Sequence, residues 1–155
     1  MSQETIQRAI QKAIQKAKEQ VMWGCRTMVD KGYALGTAGN ISARVEGEPW
    51  FVITPSARPY LTMKPEDLAV GDMEGNVVSG PYKPSIEFSM HLGIYKERPE
   101  VNCIVHTHSK FATAVSAMDG VEKVPVIDIE AWCIWAGRYW WPRLHLQDPV
   151  SWQRM

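Results

Sequence analysis

The N-terminal segment carries a regular helical repeat of apolar side chains, and this repeat limits the folds open to the chain. The apolar positions recur at spacings of three and four residues, at Ile6, Ile10, Ile14, Ala17, Val21, Cys25 and Met28. The other face carries Gln, Lys, Arg and Glu, so the pattern predicts one amphipathic helix over residues 3 to about 30. Gly32 is its expected C-terminal cap. A helix with one apolar face needs a second layer against which to pack.

The second layer is predicted to be a β-sheet, because short apolar segments bounded by turn residues follow the helix. Strands are expected at 41–45, 50–54, 101–108 (a buried strand) and 124–130, and 68–73 forms a hairpin with 76–80. Two more helices are expected, one from an N-cap at Ser85 to about Arg98 and one over 110–118 capped by Ser109. This alternation predicts a layered α/β domain with helices packed on a mixed or antiparallel sheet.

Composition excludes several classes of function. The 155 residues suffice for one domain with a hydrophobic core, and the formal net charge is +0. We therefore expect no nucleic-acid partner and no membrane anchor. The N-terminus has no apolar segment of signal-peptide length, which predicts a cytoplasmic protein. Cys25, Cys103 and Cys133 are widely spaced, which favours reduced thiols over disulfides or a metal clip.

His106 and His108 are two residues apart in the expected strand at 101–108. Alternate residues of a strand point to the same face, so both imidazoles could converge on one metal ion. The alternative is that they are two polar residues on the solvated face of a sheet. The preceding Cys103-Ile104-Val105 makes the strand look buried, and a buried histidine needs a hydrogen-bond partner.

Other polar residues allow both a structural and a chemical interpretation. Glu87 is either a carboxylate that interacts with a helix dipole or a catalytic group, and His91, one turn later, is interpreted as a hydrogen-bonded structural residue. The loop Gly36-Thr-Ala-Gly-Asn40 could form a nest of N–H groups for an anion, although it matches neither a P-loop nor a dinucleotide fingerprint. Ser56 and Ser85 occupy turn and cap positions, where hydroxyls are usually structural.

Four segments occur in an order that is more specific than any one of them. They are G-T-A-G-N-I-S, I-T-P-S-A-R-P-Y, K-P-S-I-E-F-S-M-H and R-P-E-V-N-C-I-V-H-T-H-S. In this order the chain resembles the class II aldolase/adducin family over residues 1–131. The resemblance implies an α/β/α arrangement around a central mixed or mainly antiparallel sheet. It also implies a homo-oligomer, since family aldolases are tetramers.

The resemblance implies zinc-dependent cleavage of a ketose 1-phosphate, such as L-fuculose 1-phosphate, to dihydroxyacetone phosphate and an aldehyde. His106 and His108 would be zinc ligands, and Glu87 would be the acid/base catalyst and a ligand of the empty metal. The substrate phosphate would be held by Gly39, Asn40, Ser56, Ala57 and Ser85. Such a cradle of N–H and hydroxyl donors needs no net positive charge, in keeping with the neutral composition.

Two positions depart from the pattern of the aldolases, which commonly have P-S-S-E and T-P-x-G. Here Ile86 replaces the second serine and Ala57 replaces the glycine, so the phosphate cradle has lost one hydroxyl and gained a methyl group. The alternatives within the fold are a pentulose-phosphate 4-epimerase and a methylthioribulose-phosphate dehydratase. The remaining alternatives are a non-catalytic adducin-like interaction module and an inactive truncation product.

Residues 132–155 form a tail that does not fit the family pattern. Five of the seven tryptophans lie there, and its single histidine, His145, matches no family motif for the third zinc ligand. Shifting the reading frame by one base permits a sequence that resembles the family's own continuation. We therefore hypothesise a frameshift near Ala131–Trp132, with the C-terminal part of the fold missing. Resequencing the gene would refute this if the frame stays open from Glu130 into the tail in every read.

Overall fold

The computed structural model describes residues 2–120. The helices are α1 (Gln3–Asp30), α2 (Phe88–Glu97) and α3 (Lys110–Ser116), with a short 3-10 helix at Pro65–Asp67. The strands are β1 (Asn40–Arg44), β2 (Trp50–Ile53), β3 (Ala69–Asp72), β4 (Val77–Ser79) and β5 (Cys103–His106). The strand expected at 124–130 and the tail 132–155 lie outside the described residues.

Helix α1 forms where the apolar repeat predicts it, and both ends are capped by local hydrogen bonds. The Ser2 hydroxyl accepts the backbone N–H of Thr5 at 3.3 Å. At the other end Gly32 adopts φ +72°, which a residue without a Cβ reaches at little cost. The N–H groups of Gly32 and Tyr33 then bond to the carbonyls of Val29 and Met28, each at 2.9 Å. These two bonds form a Schellman motif, in which Gly32 ends the helix as predicted, one position after the C-cap residue Lys31.

The five strands form one antiparallel sheet in the order β4-β3-β2-β1-β5. Successive residues of β2 face opposite sides, so Val52 packs with α1 while Phe51 and Ile53 pack with Tyr95 of α2. Helices therefore cover both faces of the sheet, which is the predicted α/β/α layering. The predicted hairpin is also present, as β3 and β4 joined by a turn at Gly75.

The expectation that residues 101–108 form a buried strand is wrong. Strand β5 spans only Cys103–His106, and Cys103 is exposed while Val105 is 55% exposed. Among residues 2–120, β5 pairs with β1 alone, so within the described part of the chain it lies at the edge of the sheet. An apolar segment does not reveal whether its strand is central or at an edge, because strand pairing depends on residues far away in the sequence.

The chain divides at Lys110 into two compact units, and every predicted site residue belongs to the first. Of the second unit the structure describes residues 111–120, which contain most of α3. This helix begins directly after Ser109, close to the prediction. Among residues 2–120 no helix is both long enough and apolar enough to cross a membrane.

Candidate functional site

The register between β1 and β5 places Asn40 beside His106. These two residues are direct cross-strand partners, one at the start of β1 and the other at the end of β5. Partners of this kind project from the same face of the sheet, in this case the face covered by α2. The preceding residue, Gly39, has φ +78°, and a Cβ there would lie 2.5 Å from the carbonyl oxygen of His106. Glycine therefore permits the close approach of the two strands at the site.

Glu87 reaches the same place from the start of α2. The expectation that Ser85 is the N-cap is wrong: the helix begins at Phe88 with Glu87 as its N-cap. Ser85 instead forms the preceding turn, in which its hydroxyl accepts the Glu87 N–H at 3.2 Å and its carbonyl accepts the Phe88 N–H at 3.0 Å. The Glu87 side chain makes no capping hydrogen bond, so its carboxylate is free to point away from the helix.

The carboxylate of Glu87 accepts hydrogen bonds from the Asn40 side-chain amide and from Nδ1 of His106. The side chains of Glu87 and His106 are both about one-third exposed, at 31% and 29%. Burial opposes ionisation of Glu87, but the hydrogen bonds from Asn40 and His106 outweigh it and hold the pKa of the carboxyl below its usual range. The site therefore presents an ionised carboxylate that solvent and a small ligand can reach.

His108 lies beyond the end of β5, where its backbone N–H bonds to the carbonyl of Tyr33 at 3.2 Å. Its ring remains beside that of His106, with centroids 5.0 Å apart and planes inclined by 33°. Within residues 2–120 no group of three or more His, Cys, Asp and Glu side chains is arranged to hold a metal ion. Two neighbouring imidazoles and a carboxylate are nonetheless a donor set that zinc accepts.

Contacts between loops tie together the segments that carry the predicted phosphate-binding residues. Pro55 and Pro84 form an isolated antiparallel bridge. On either side of it the Ser56 N–H bonds to the Lys83 carbonyl and the Ser85 N–H bonds to the Thr54 carbonyl, each at 3.0 Å. Ser56 and Ser85 are therefore neighbours in space although 29 residues separate them in the sequence.

The loop that contains Gly39 is joined to the same region, because the Tyr60 hydroxyl donates to the Gly39 carbonyl. Asn40 is buried, and its side-chain amide is committed to Glu87 and His91.

The two positions that depart from the aldolase pattern have clear structural settings. Ala57 is the one non-glycine residue among residues 2–120 with a positive φ, at 55°. Glycine is the residue that adopts this conformation most readily, so the backbone has the shape that the family's T-P-x-G motif would give. Ile86 is 90% exposed, so its side chain packs against little of the described chain.

Sequence reasoning interpreted His91 correctly as hydrogen-bonded but missed its partners. His91 is 0% exposed, with Nδ1 bonded to the Ser42 hydroxyl at 2.6 Å and Nε2 to Asn40 Oδ1 at 2.5 Å. The Ser42 hydroxyl also bonds to the Tyr95 hydroxyl at 2.8 Å. The two-residue spacing of Asn40 and Ser42 in β1 was the signal that could have found this cluster.

Comparison with known proteins gives a consistent assignment. Residues 19–142 match the family described as Class II Aldolase and Adducin N-terminal domain. An L-fuculose phosphate aldolase of Methanococcus maripaludis is 38% identical over 69% of this chain and 56% of its own length. A 3-oxo-tetronate 4-phosphate decarboxylase of Haemophilus influenzae is 39% identical over 68% of this chain and 49% of its own length.

A solved structure agrees with the sequence relatives. An L-fuculose 1-phosphate aldolase superposes with a TM-score of 0.62 at 33% identity, covering 65% of this chain and 48% of that chain. The chain thus spans about half the length of the curated relatives it matches.

Proposed function

We propose a function for this chain from one premise: it belongs to the class II aldolase and adducin family. The proposed activity is that of a metal-dependent aldehyde-lyase. It cleaves a ketose 1-phosphate, such as L-fuculose 1-phosphate, to dihydroxyacetone phosphate and an aldehyde. The observation that carries this proposal is the Glu87 carboxylate, which hydrogen bonds from Asn40 and His106 hold ionised at an accessible position.

Glu87 is the proposed acid/base group. Breaking the carbon–carbon bond of an aldol requires a base that takes the proton from the hydroxyl of the departing aldehyde and an acid that returns a proton to the other fragment. An ionised carboxylate with two fixed donors can perform both steps in turn. Its low pKa favours the basic form at neutral pH, so proton removal is the step for which the free site is prepared.

We propose that His106 and His108, together with Glu87, hold a divalent cation, with zinc as the first candidate. Imidazole nitrogens and a carboxylate oxygen are the donor types that such an ion takes from proteins. When bound, the cation supplies positive charge that stabilises the negative charge developing on the substrate oxygens. His106 Nδ1 and Glu87 already contact each other, so an ion that takes the place of the Nδ1 proton would be held by both side chains.

The proposed phosphate site consists of Gly39, Asn40, Ser56, Ala57 and Ser85. The contacts that join their loops support this proposal. The Ser85 hydroxyl accepts the N–H of Glu87, which leaves its own proton free to donate to a phosphate oxygen. The buried Ser85 therefore connects the proposed phosphate site to the proposed catalytic carboxylate two residues later.

A decarboxylase is the second candidate, because the Haemophilus influenzae relative is as similar as the aldolases. Both reactions break a carbon–carbon bond next to a carbonyl and leave negative charge on the retained fragment. A pentulose-phosphate 4-epimerase and a methylthioribulose-phosphate dehydratase remain alternatives within the same fold. The contact between Glu87 and His106 favours any of these enzymes over a non-catalytic adducin-like module. We further propose that the protein is a cytoplasmic homo-oligomer.

The decisive experiment measures dihydroxyacetone phosphate from a panel of ketose 1-phosphates and carbon dioxide from 3-oxo-tetronate 4-phosphate, with zinc content determined on the same samples. The aldolase proposal expects dihydroxyacetone phosphate from at least one ketose 1-phosphate. It also expects Glu87→Gln to reduce that rate by roughly 100-fold or more, as expected for loss of a general acid/base group. The control is Glu66→Gln, which alters an exposed glutamate outside the site and should leave the rate unchanged. Carbon dioxide alone would instead identify a decarboxylase.

A further inference from the structure

A continuous chain of hydrogen bonds runs through the interior from Tyr95 to the carboxylate of Glu87. The Tyr95 hydroxyl contacts Ser42 Oγ at 2.8 Å, Ser42 Oγ contacts His91 Nδ1 at 2.6 Å, and His91 Nε2 contacts Asn40 Oδ1 at 2.5 Å. The Asn40 amide nitrogen then donates to Glu87. All members except Glu87 are buried, with exposures of 0–4%. We call Tyr95, Ser42, His91 and Asn40 the buried relay.

The chemistry of the donors and acceptors permits one direction for these bonds. A carboxylate only accepts, so Asn40 must present its nitrogen to Glu87 and its oxygen to His91. His91 must then donate from Nε2. Burial lowers the pKa of His91 to about 4, so the ring is neutral at pH 7 and its Nδ1 accepts. The Ser42 hydroxyl therefore donates to Nδ1 and receives its own hydrogen bond from Tyr95.

The opposite arrangement of the Asn40 amide is penalised where it contacts Glu87. A reversed amide would place Asn40 Oδ1 against the ionised oxygen of Glu87 and would leave two acceptors facing each other inside the protein. An unpaired buried polar group loses its hydration without compensation, so such a contact is costly. In addition, no buried side-chain nitrogen or oxygen lacks a hydrogen-bond partner within residues 2–120. The relay is fully satisfied in one proton arrangement.

We propose that His91 is a positioning residue of the site, which holds Asn40 with its amide nitrogen facing Glu87 and thereby fixes the orientation of that carboxylate. His91 does this through Nε2, while Ser42 selects the tautomer that carries the Nε2 proton. The catalytic meaning of this role rests on the proposed function of Glu87. The geometric claim about Asn40 does not, and it is tested without turnover.

The test uses nitrogen NMR of the whole chain at neutral pH. The wild-type protein should show the Nε2–H tautomer of His91 and slowly exchanging side-chain amide protons on Asn40. His91→Gln retains a donor and an acceptor and should preserve the Asn40 protection. His91→Leu removes both and should speed the exchange by roughly tenfold or more, the factor expected for one lost hydrogen bond. Ser42→Ala is the smaller change, and it should weaken the preference for the Nε2–H tautomer and the Asn40 protection together.

Val21→Ala is the matched control, because Val21 is a fully buried side chain of α1 in the core on the opposite face of the sheet. If it speeds Asn40 exchange as much as His91→Leu does, the effect is general destabilisation and the positioning role is refuted. An Nδ1–H tautomer in the wild-type protein also overturns it, with no variant needed. Absence of turnover on every sugar phosphate would count against the proposed function. The positioning role of His91 would still be decided by the NMR spectra alone.

Discussion

At the scale of single residues, the site depends most on Gly39. Its backbone has a positive φ, which favours glycine, and it lies so close to the His106 carbonyl that a Cβ would clash. The next residue begins β1 and donates to Glu87. A change of one methyl group at Gly39 therefore affects the strand pairing and the carboxylate together.

Gly39→Ala should destabilise the protein by roughly 3 kcal/mol or more, since the strained φ and the clash with the His106 carbonyl add together. Gly36→Ala is the control, because Gly36 also has a positive φ, +63°, but a Cβ there meets nothing within 4 Å. Its cost should be about 1–2 kcal/mol. Urea denaturation of both variants checks the difference, and equal losses would show that the contact with His106 is unimportant.

Ala57 presents the reverse case, a side chain in a conformation that suits glycine. Ala57→Gly should stabilise the protein by about 0.5–1 kcal/mol, because relief of the strained φ exceeds the extra freedom gained by the unfolded chain. Ala38 has no positive φ, so Ala38→Gly should lower the free energy of unfolding by about 0.4–1 kcal/mol. Thermal unfolding of both variants measures whether stability rises or falls. A loss of stability in Ala57→Gly would contradict the strained backbone at Ala57.

At the scale of elements, the register of β1 against β5 and the position of α2 determine which residues meet. Asn40, Ser42 and Ile104 face α2, whereas Ile41 and Ala43 face α1. A slip of one residue would exchange these faces and remove Asn40 from His91 and Glu87. The buried relay therefore serves as a polar contact that this register alone satisfies.

Burial of His91 between α2 and the sheet should make stability depend on pH. The pKa of His91 falls from 6.5 to about 4 on folding, chiefly through burial. Between these values the unfolded chain binds a proton that the folded chain excludes, so the free energy of unfolding should decrease by about 3 kcal/mol as pH falls from 6.5 to 4. Above pH 6.5 this contribution is fully present.

His91→Gln removes the titrating group while keeping hydrogen-bonding atoms at the same place. Urea unfolding of this variant should therefore show a flatter dependence on pH from 6.5 down to about 4.5, below which the exposed carboxylates also begin to titrate. A wild-type curve with the same slope as that of the variant would contradict a neutral, buried His91.

At the scale of the whole molecule, the chain covers about half the length of its curated relatives, and the family match ends at residue 142. Glu87, His106 and His108 all lie within the match. A catalytic zinc site commonly takes three protein ligands and keeps a further position open. The proposed frameshift near Ala131–Trp132 would therefore affect how many zinc ligands the polypeptide carries.

A version of the protein with residues after Ala131 read in the alternative frame should bind zinc more tightly than the 155-residue chain if a third histidine is restored, because catalytic zinc commonly takes three protein ligands. It should also release dihydroxyacetone phosphate faster from the same substrates. Competition with a zinc chelator measures the first effect. Equal affinity in both proteins would show that the alternative frame adds no ligand.

Much of the fold could be predicted because it depends on short-range patterns. The repeat of α1, its glycine cap and the hairpin of β3 and β4 follow from spacing and turn residues within a few positions. The exposure of β5 could not be predicted in this way, and neither could the N-cap of α2. Strand pairing at a sheet edge depends on residues far away in the sequence. So do the hydrogen bonds that Glu87 accepts from Asn40 and His106.

The sequence by itself determined most of the helices and strands, the family and the identity of the polar residues. Each of these depends on the order and spacing of residues that lie close together in the chain. Tertiary structure alone decided that Glu87 meets Asn40 and His106. It also decided that His91 joins them to Ser42 and Tyr95 through the interior. The physical reason is that buried polar groups must find partners across the fold, and those partners are selected by strand register and helix packing.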